Sequence, residues 1–227
     1  MKSKIKYSLS QSTWDEQELE AINHVVESGN FTMGVYVKEF EEKFAKYFNS
    51  KYAVMVNSGS SANLLGIASL FYKKSNPLKP GDEVIVPAVS WSTTYAPLQQ
   101  YGLKLKFVDI DIETLNFDIK KLKQTVTSKT RIILAVNLLG NPNEFHEIKK
   151  IINRKDIILF EDNCESMGAK FNDEYTGSIG DIGTFSMFYS HHICTMEGGM
   201  VLTNHVELYH IMLSLRAHGW TRDLPIK

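Results

Sequence analysis

Residues 52–72 read Tyr-Ala-Val-Met-Val-Asn-Ser-Gly-Ser-Ser-Ala-Asn-Leu-Leu-Gly-Ile-Ala-Ser-Leu-Phe-Tyr, two apolar segments joined across a small polar break. Tyr52 to Val56 has the length and composition of a buried strand, and Leu64 to Tyr72 that of a helix. Between them, Asn57-Ser-Gly-Ser-Ser-Ala-Asn63 lies where backbone N–H groups at a helix start can cradle a phosphate, with Gly59 permitting close approach. On its own, the same stretch also reads as a capped helix after a tight turn.

The alternation continues in both directions. Upstream, Thr13-Trp-Asp-Glu16 has the form of a capping box that opens a helix ending near Gly29. Val37, Phe40, Phe44 and Phe48 then make a helical stripe. Downstream, Gly81-Asp82 is a turn before a strand from Glu83 to Pro87. Lys104 to Val108 is the next strand, and Asp118 to Val126 a polar helix. Ile132 to Val136 and Ile157 to Phe160 are buried-type strands separated by a helix from Glu144 to Asn153, and Val206 to Ala217 reads as a last helix. Strands alternating with helices predict an α/β fold, a mostly parallel sheet with helices on both faces. There is neither an internal repeat nor a low-complexity linker.

Composition narrows the function classes. A chain of 227 residues with 43% hydrophobic content can bury a sizeable core. The formal net charge of −1, with both signs mixed along the chain, gives no basic face for nucleic acid. The longest apolar runs fall far short of the ~20 residues that span a membrane. Met1 to Tyr7 is charged but has no apolar run behind it, so a signal peptide is not expected. Cys164 and Cys194 are the only cysteines and have no metal-ligand spacing, which predicts a reduced, cytoplasmic protein. His191 and His192 are adjacent, and neighbouring residues rarely ligate one ion together, so no metal is expected.

Several residues carry chemistry. Asp162 follows a strand, at the carboxyl end where open α/β sheets bind ligands. A buried carboxylate there needs a cationic partner, such as a protonated pyridine nitrogen; it could equally cap a helix over Asn163-Cys-Glu-Ser166. Trp91, in the loop Pro87 to Thr94, could stack on a planar ligand or belong to the core. Glu165 could bond a ring hydroxyl or face solvent on a first helical turn. Ser186 could bind phosphate or be a satisfied strand serine.

Taken together, Ser58-Gly-Ser60, the Trp91 loop, Glu161-Asp162, Gly177-Ser-Ile-Gly-Asp181, Ser186 and Glu197-Gly-Gly199 resemble the sugar-aminotransferase family of fold-type-I pyridoxal phosphate enzymes. The resemblance runs from about Leu9 to the chain end. Gly183 to Met200 is similar to the family's cofactor loop, where a lysine five residues after the serine anchors the cofactor as a Schiff base. Five residues after Ser186 stands His191. An imidazole cannot form that stable imine but can still move protons.

Within the family, histidine at this position marks the 3-dehydratases of nucleotide-linked 4-keto-6-deoxy sugars. Ser10 to Trp14, Val86 to Gln100, Val136 to Pro142, Glu161 to Gly168 and His218 to Arg222 are similar to the branch that acts on GDP-linked sugars. The resemblance implies pyridoxal 5'-phosphate and pyridoxamine 5'-phosphate as cofactor forms and glutamate as co-substrate. It implies loss of the C3 hydroxyl from a GDP-linked 4-keto-6-deoxy sugar, on the route to the O-antigen sugar GDP-colitose. Carried over, Gly59, Ser60 and Ser186 hold the cofactor phosphate, Trp91 stacks on the ring, Asp162 pairs with the pyridine nitrogen, Glu165 sits near the ring hydroxyl, and His191 is the base. A homodimer is also implied, with residues 1–227 as the large cofactor-binding domain and a small C-terminal domain beyond the chain. A CDP-linked 3-dehydrase with an iron–sulfur cluster is disfavoured, since four cysteine ligands would be expected and two are present. The absence of lysine at 191 argues against a true aminotransferase. Retention of Trp91, Asp162 and His191 together weakens an inactive cofactor-binding relative.

Overall fold

The protein is described by a computed structural model covering residues 10–152, 154, 156–222 and 224. The expectations placed on 1–9, on the helix end at Asn153, and on 223 and 225–227 lie outside these residues. In chain order the elements are α1 (Glu16–Ser28), α2 (Val35–Tyr47), β1 (Tyr52–Val56), α3 (Gly59–Phe71), β2 (Glu83–Pro87), α4 (Ser92–Gln100), β3 (Lys104–Val108) and α5 (Ile119–Thr125). Then follow β4 (Thr130–Val136), α6 (Phe145–Ile151), β5 (Ile158–Asp162), the small hairpin β6 (Lys170–Phe171) and β7 (Glu174–Tyr175), β8 (Ile182–Ser186), β9 (Gly199–Thr203) and α7 (Val206–Arg216).

One seven-stranded sheet has the order β1-β9-β8-β5-β4-β2-β3. It is parallel except for β9, which runs antiparallel to both β1 and β8. Side-chain alternation along each strand sorts the core into two faces. On β4, Ile132 and Leu134 join the cluster under α3, α4 and α7, while Ile133 and Ala135 join the one under α5 and α6. On that second face, Phe44 and Ala45 of α2 and Phe48 at its C-cap cover Ala53, Phe185, Met200 and Leu202. Helices therefore cover both faces, as the alternation predicts.

β1, β2 and β3 have the expected bounds. Three expectations need correction, and two strands went unread. α1 is opened by Asp15 and Glu18, not by Thr13 and Glu16. Asp15 Oδ1 accepts from the Gln17 N–H at 2.8 Å and Glu18 Oε2 from the Asp15 N–H at 2.8 Å. α3 begins at Gly59 instead of Leu64, because the Ser58 hydroxyl accepts from the Ser61 N–H at 3.1 Å and caps the helix there. The polar break is thus the helix's own first turn. Asp162 is the last residue of β5, and no helix follows it. Residues 163–168 form turns, so Asp162 is not a helix cap and Glu165 is not on a first helical turn. Finally, β8 and β9 escaped the periodicity because all five residues of each are buried, leaving no polar alternation to read.

Candidate active site

The carboxyl ends of β1, β2, β4, β5 and β8 and the amino end of β9 share one edge of the sheet, and the predicted residues gather there. The turn from β1 into α3 lies against β8 and β9 with no room between. A Cβ on Gly59 would come within 2.6 Å of Ser186 Cβ and 2.8 Å of Cys164 Sγ, and one on Gly199 would overlap the Ser58 carbonyl. Only glycine lets these backbones meet. Gly59 and Ser60 open α3, where the helix itself offers their N–H groups no acceptor. Ser186, buried at the end of β8, lies beside them, and its Oγ accepts from the Phe188 N–H at 3.3 Å.

Asp162 is 5% exposed. Its Oδ2 accepts from Asn63 Nδ2 at 2.9 Å and Thr94 Oγ1 at 2.8 Å; its Oδ1 accepts from the Cys164 N–H at 3.3 Å. Thr184, paired with Asp162 across β5 and β8, donates its hydroxyl to Asn63 Oδ1 at 2.6 Å. That bond orients the Asn63 amide with its N–H₂ toward the carboxylate. All of these partners are neutral, whereas removing a carboxylate from water costs several kcal/mol unless a cation meets it. The site is therefore suited to a cationic ligand group approaching Oδ1, the less satisfied oxygen. Sequence reasoning missed Asn63 and Thr94. Asn63 carried a signal, as a polar side chain inside the apolar run of α3; Thr94 could not be told from Thr93.

Glu161 projects to the opposite face of β5 and has a different task. Its carboxylate accepts from the N–H groups of Gly177 (2.7 Å), Ile179 (2.8 Å) and Gly180 (2.6 Å) and from Asn137 Nδ2 (3.2 Å). Burial pushes its pKa up while these donors pull it back. It fastens the 177–180 loop to the sheet.

His191 is half-buried in the turns between β8 and β9, its ring 6.1 Å from that of Phe188. Burial lowers its pKa below the ordinary imidazole value; Glu165 and Asp162 oppose that shift and His192 adds to it. His192 is exposed. Glu165 Oε2 accepts from the Leu139 N–H at 3.3 Å, which places this carboxylate at the same edge. Trp91 is 72% exposed and occupies the cap position of α4, whose Thr94 reaches Asp162. Among the described residues its indole makes no ring contact or hydrogen bond, so it is not core. Burial drives the Cys164 thiol well above the usual thiol range, with Asp162 adding to the shift, so it stays protonated. Close approach thus joins Gly59, Ser186, Cys164 and Asp162, and the charges of Glu165 and Asp162 act on the His191 ring. Among the described residues no three His, Cys, Asp or Glu side chains group as a metal site.

A family model described as the DegT/DnrJ/EryC1/StrS aminotransferase family matches residues 12–225. The chain is 66% identical over 223 residues to GDP-4-keto-6-deoxy-D-mannose 3-dehydratase of Escherichia coli O55:H7, covering 98% of this chain and 58% of that protein. It is 63% identical over 221 residues to the protein of the same name from Yersinia pseudotuberculosis, covering 97% and 56%. A crystal structure of GDP-4-keto-6-deoxymannose-3-dehydratase with a trapped PLP–glutamate geminal diamine superposes with a TM-score of 0.95 at 66% identity, covering 97% of this chain and 57% of that one. The chain therefore spans somewhat more than half the length of these relatives.

Proposed function

The chain belongs to the DegT/DnrJ/EryC1/StrS aminotransferase family, and on that premise we propose that it serves a pyridoxal phosphate-dependent 3-dehydratase of GDP-linked 4-keto-6-deoxy-D-mannose, with glutamate as co-substrate. The observation that carries this reading is a histidine, His191, where the family resemblance puts the anchoring lysine, beside a buried Asp162 that has only neutral partners. The two relatives named for this activity and the solved structure holding a PLP–glutamate adduct support it.

The roles are those the family resemblance implies, and the positions of the residues support them. The N–H groups of Gly59 and Ser60 and the Ser186 hydroxyl would hold the cofactor phosphate at the start of α3. Trp91 offers an exposed aromatic face to the ring, and Glu165 would stand near its hydroxyl. Asp162 would keep the ring nitrogen protonated through a charge-assisted bond, with Asn63 and Thr94 holding the carboxylate in place. The bound cofactor supplies a cationic ring that accepts electrons. His191 would be the base: burial lowers its pKa and favours the neutral imidazole, which would take the proton released from the cofactor's methylene C–H while the electrons of that bond go to expel the sugar's C3 hydroxyl. Having no imine-forming amine, it stays available as a base. A homodimer belongs to the same reading, and light scattering on the purified protein tests it.

The decisive experiment incubates the protein, made at its relatives' length, with glutamate and GDP-4-keto-6-deoxymannose. The expected product lacks the C3 hydroxyl and forms without a separate reductase. An absolute need for an iron–sulfur reductase would move the assignment to the CDP-linked branch, and an amino sugar as the main product would make it an aminotransferase.

A further inference from the structure

α1 is attached to the rest of the molecule in an unusual way. None of its residues is buried, and Leu19 and Val26 are more than half exposed. Just ahead of its cap, however, the half-buried Trp14 donates its indole Nε1–H to the Cys194 carbonyl at 3.0 Å, across 180 residues of sequence. Cys194 lies in the β8–β9 connection, three residues after His191.

We propose that Trp14 is a positioning residue, which holds the connection carrying His191 in the geometry its proton transfer needs. This rests on the reading of His191 as the base. Among the described residues, every other hydrogen bond of 188–197 is internal or goes to Ser186 or Met187. The His191 N–H donates to the Phe188 carbonyl (2.9 Å), the Thr195 N–H to that of Met187 (3.0 Å), and the Glu197 N–H to that of Thr195 (2.9 Å). Such a segment opens locally at little free-energy cost unless something outside it holds on. Trp14 suits that task because the capping box of Asp15 and Glu18 fixes the backbone on one side, and its own N–H donates to Ser12 Oγ at 3.2 Å on the other.

Trp14→Phe keeps an aromatic ring and deletes the donor. Amide exchange of Thr195 and Glu197 should quicken roughly two- to tenfold, the range one net hydrogen bond supports, while exchange in β8 and β9 stays at the wild-type rate. The titration midpoint of the His191 ring, followed by NMR, should rise as water reaches it. Glu165, Asp162 and His192 are the charged or titratable groups that face it. Tyr36→Phe is the control: it breaks the His24–Tyr36 bond in the same N-terminal region and should change neither quantity. Unchanged loop exchange and His191 titration in Trp14→Phe would overturn the proposal. So would equal loosening by Tyr36→Phe, or exchange quickened throughout the molecule, which would make Trp14 a general stability residue. If His191→Asn keeps full turnover, the parent reading fails, and the exchange result still decides whether Trp14 holds the loop.

Discussion

In the proposed reaction the chemistry would turn on Asp162 and His191, and each makes a prediction at its own scale. In Asp162→Asn the new amide can still present its oxygen to Asn63 and Thr94, so the fold should persist with an unchanged circular dichroism spectrum. The negative charge is gone, however, and pyridoxal phosphate should bind roughly ten- to hundredfold more weakly, the range for a hydrogen bond to a charged group. Turnover should be lost. Near-normal turnover would return Asp162 to a purely structural role. For His191, burial favours the neutral ring, so the base form persists to lower pH than in a free imidazole. The acid limb of kcat/KM should therefore have its midpoint below about 6.5; a midpoint above that value would mean another group limits the rate. The sign for stability is the same. The unfolded chain binds the proton more readily, so this group's contribution is present above the unfolded pKa and lost as pH falls through the folded one. The family resemblance pointed to both residues, but the side-chain donors around Asp162 come from α3 and α4, 99 and 68 residues away, and only folding brings them in.

At the scale of elements, the site depends on how closely the β1–α3 turn meets β9. Gly199→Ala would push a methyl group into the Ser58 carbonyl, so the turn must shift or the strand must move. The expected cost is about 1–3 kcal/mol, as for other overpacked sites, seen as a lowered Tm together with weaker pyridoxal phosphate binding. Equal stability with unchanged binding would show that the cradle is not built on this contact. The first strands and the last helix were legible because their apolar runs end in turn residues. The start of α3 was not, since Ser58, Ser60 and Ser61 all suit a cap and only the Ser58–Ser61 bond decides among them. β8 and β9 were hidden for the opposite reason: they are buried throughout and contain glycine, so neither period appears.

For the molecule as a whole, the absence of lysine at 191 gives a prediction read on intact mass. After incubation with pyridoxal phosphate and borohydride, then dialysis, the protein should carry no stoichiometric covalent label; a single adduct per chain would sink the non-covalent reading. Among the described residues no helix is long and apolar enough to cross a membrane. By itself the sequence determined the α/β alternation, the family resemblance, and the substitution that separates His191 from a lysine, because local composition and residue order are written directly in the chain. The tertiary structure alone decided that β9 runs against its neighbours, that Glu161 and Asp162 face opposite sides of one strand with different tasks, and that Trp14 reaches Cys194. These depend on contacts between residues far apart in sequence, whose free energy exists only once the chain has closed on itself.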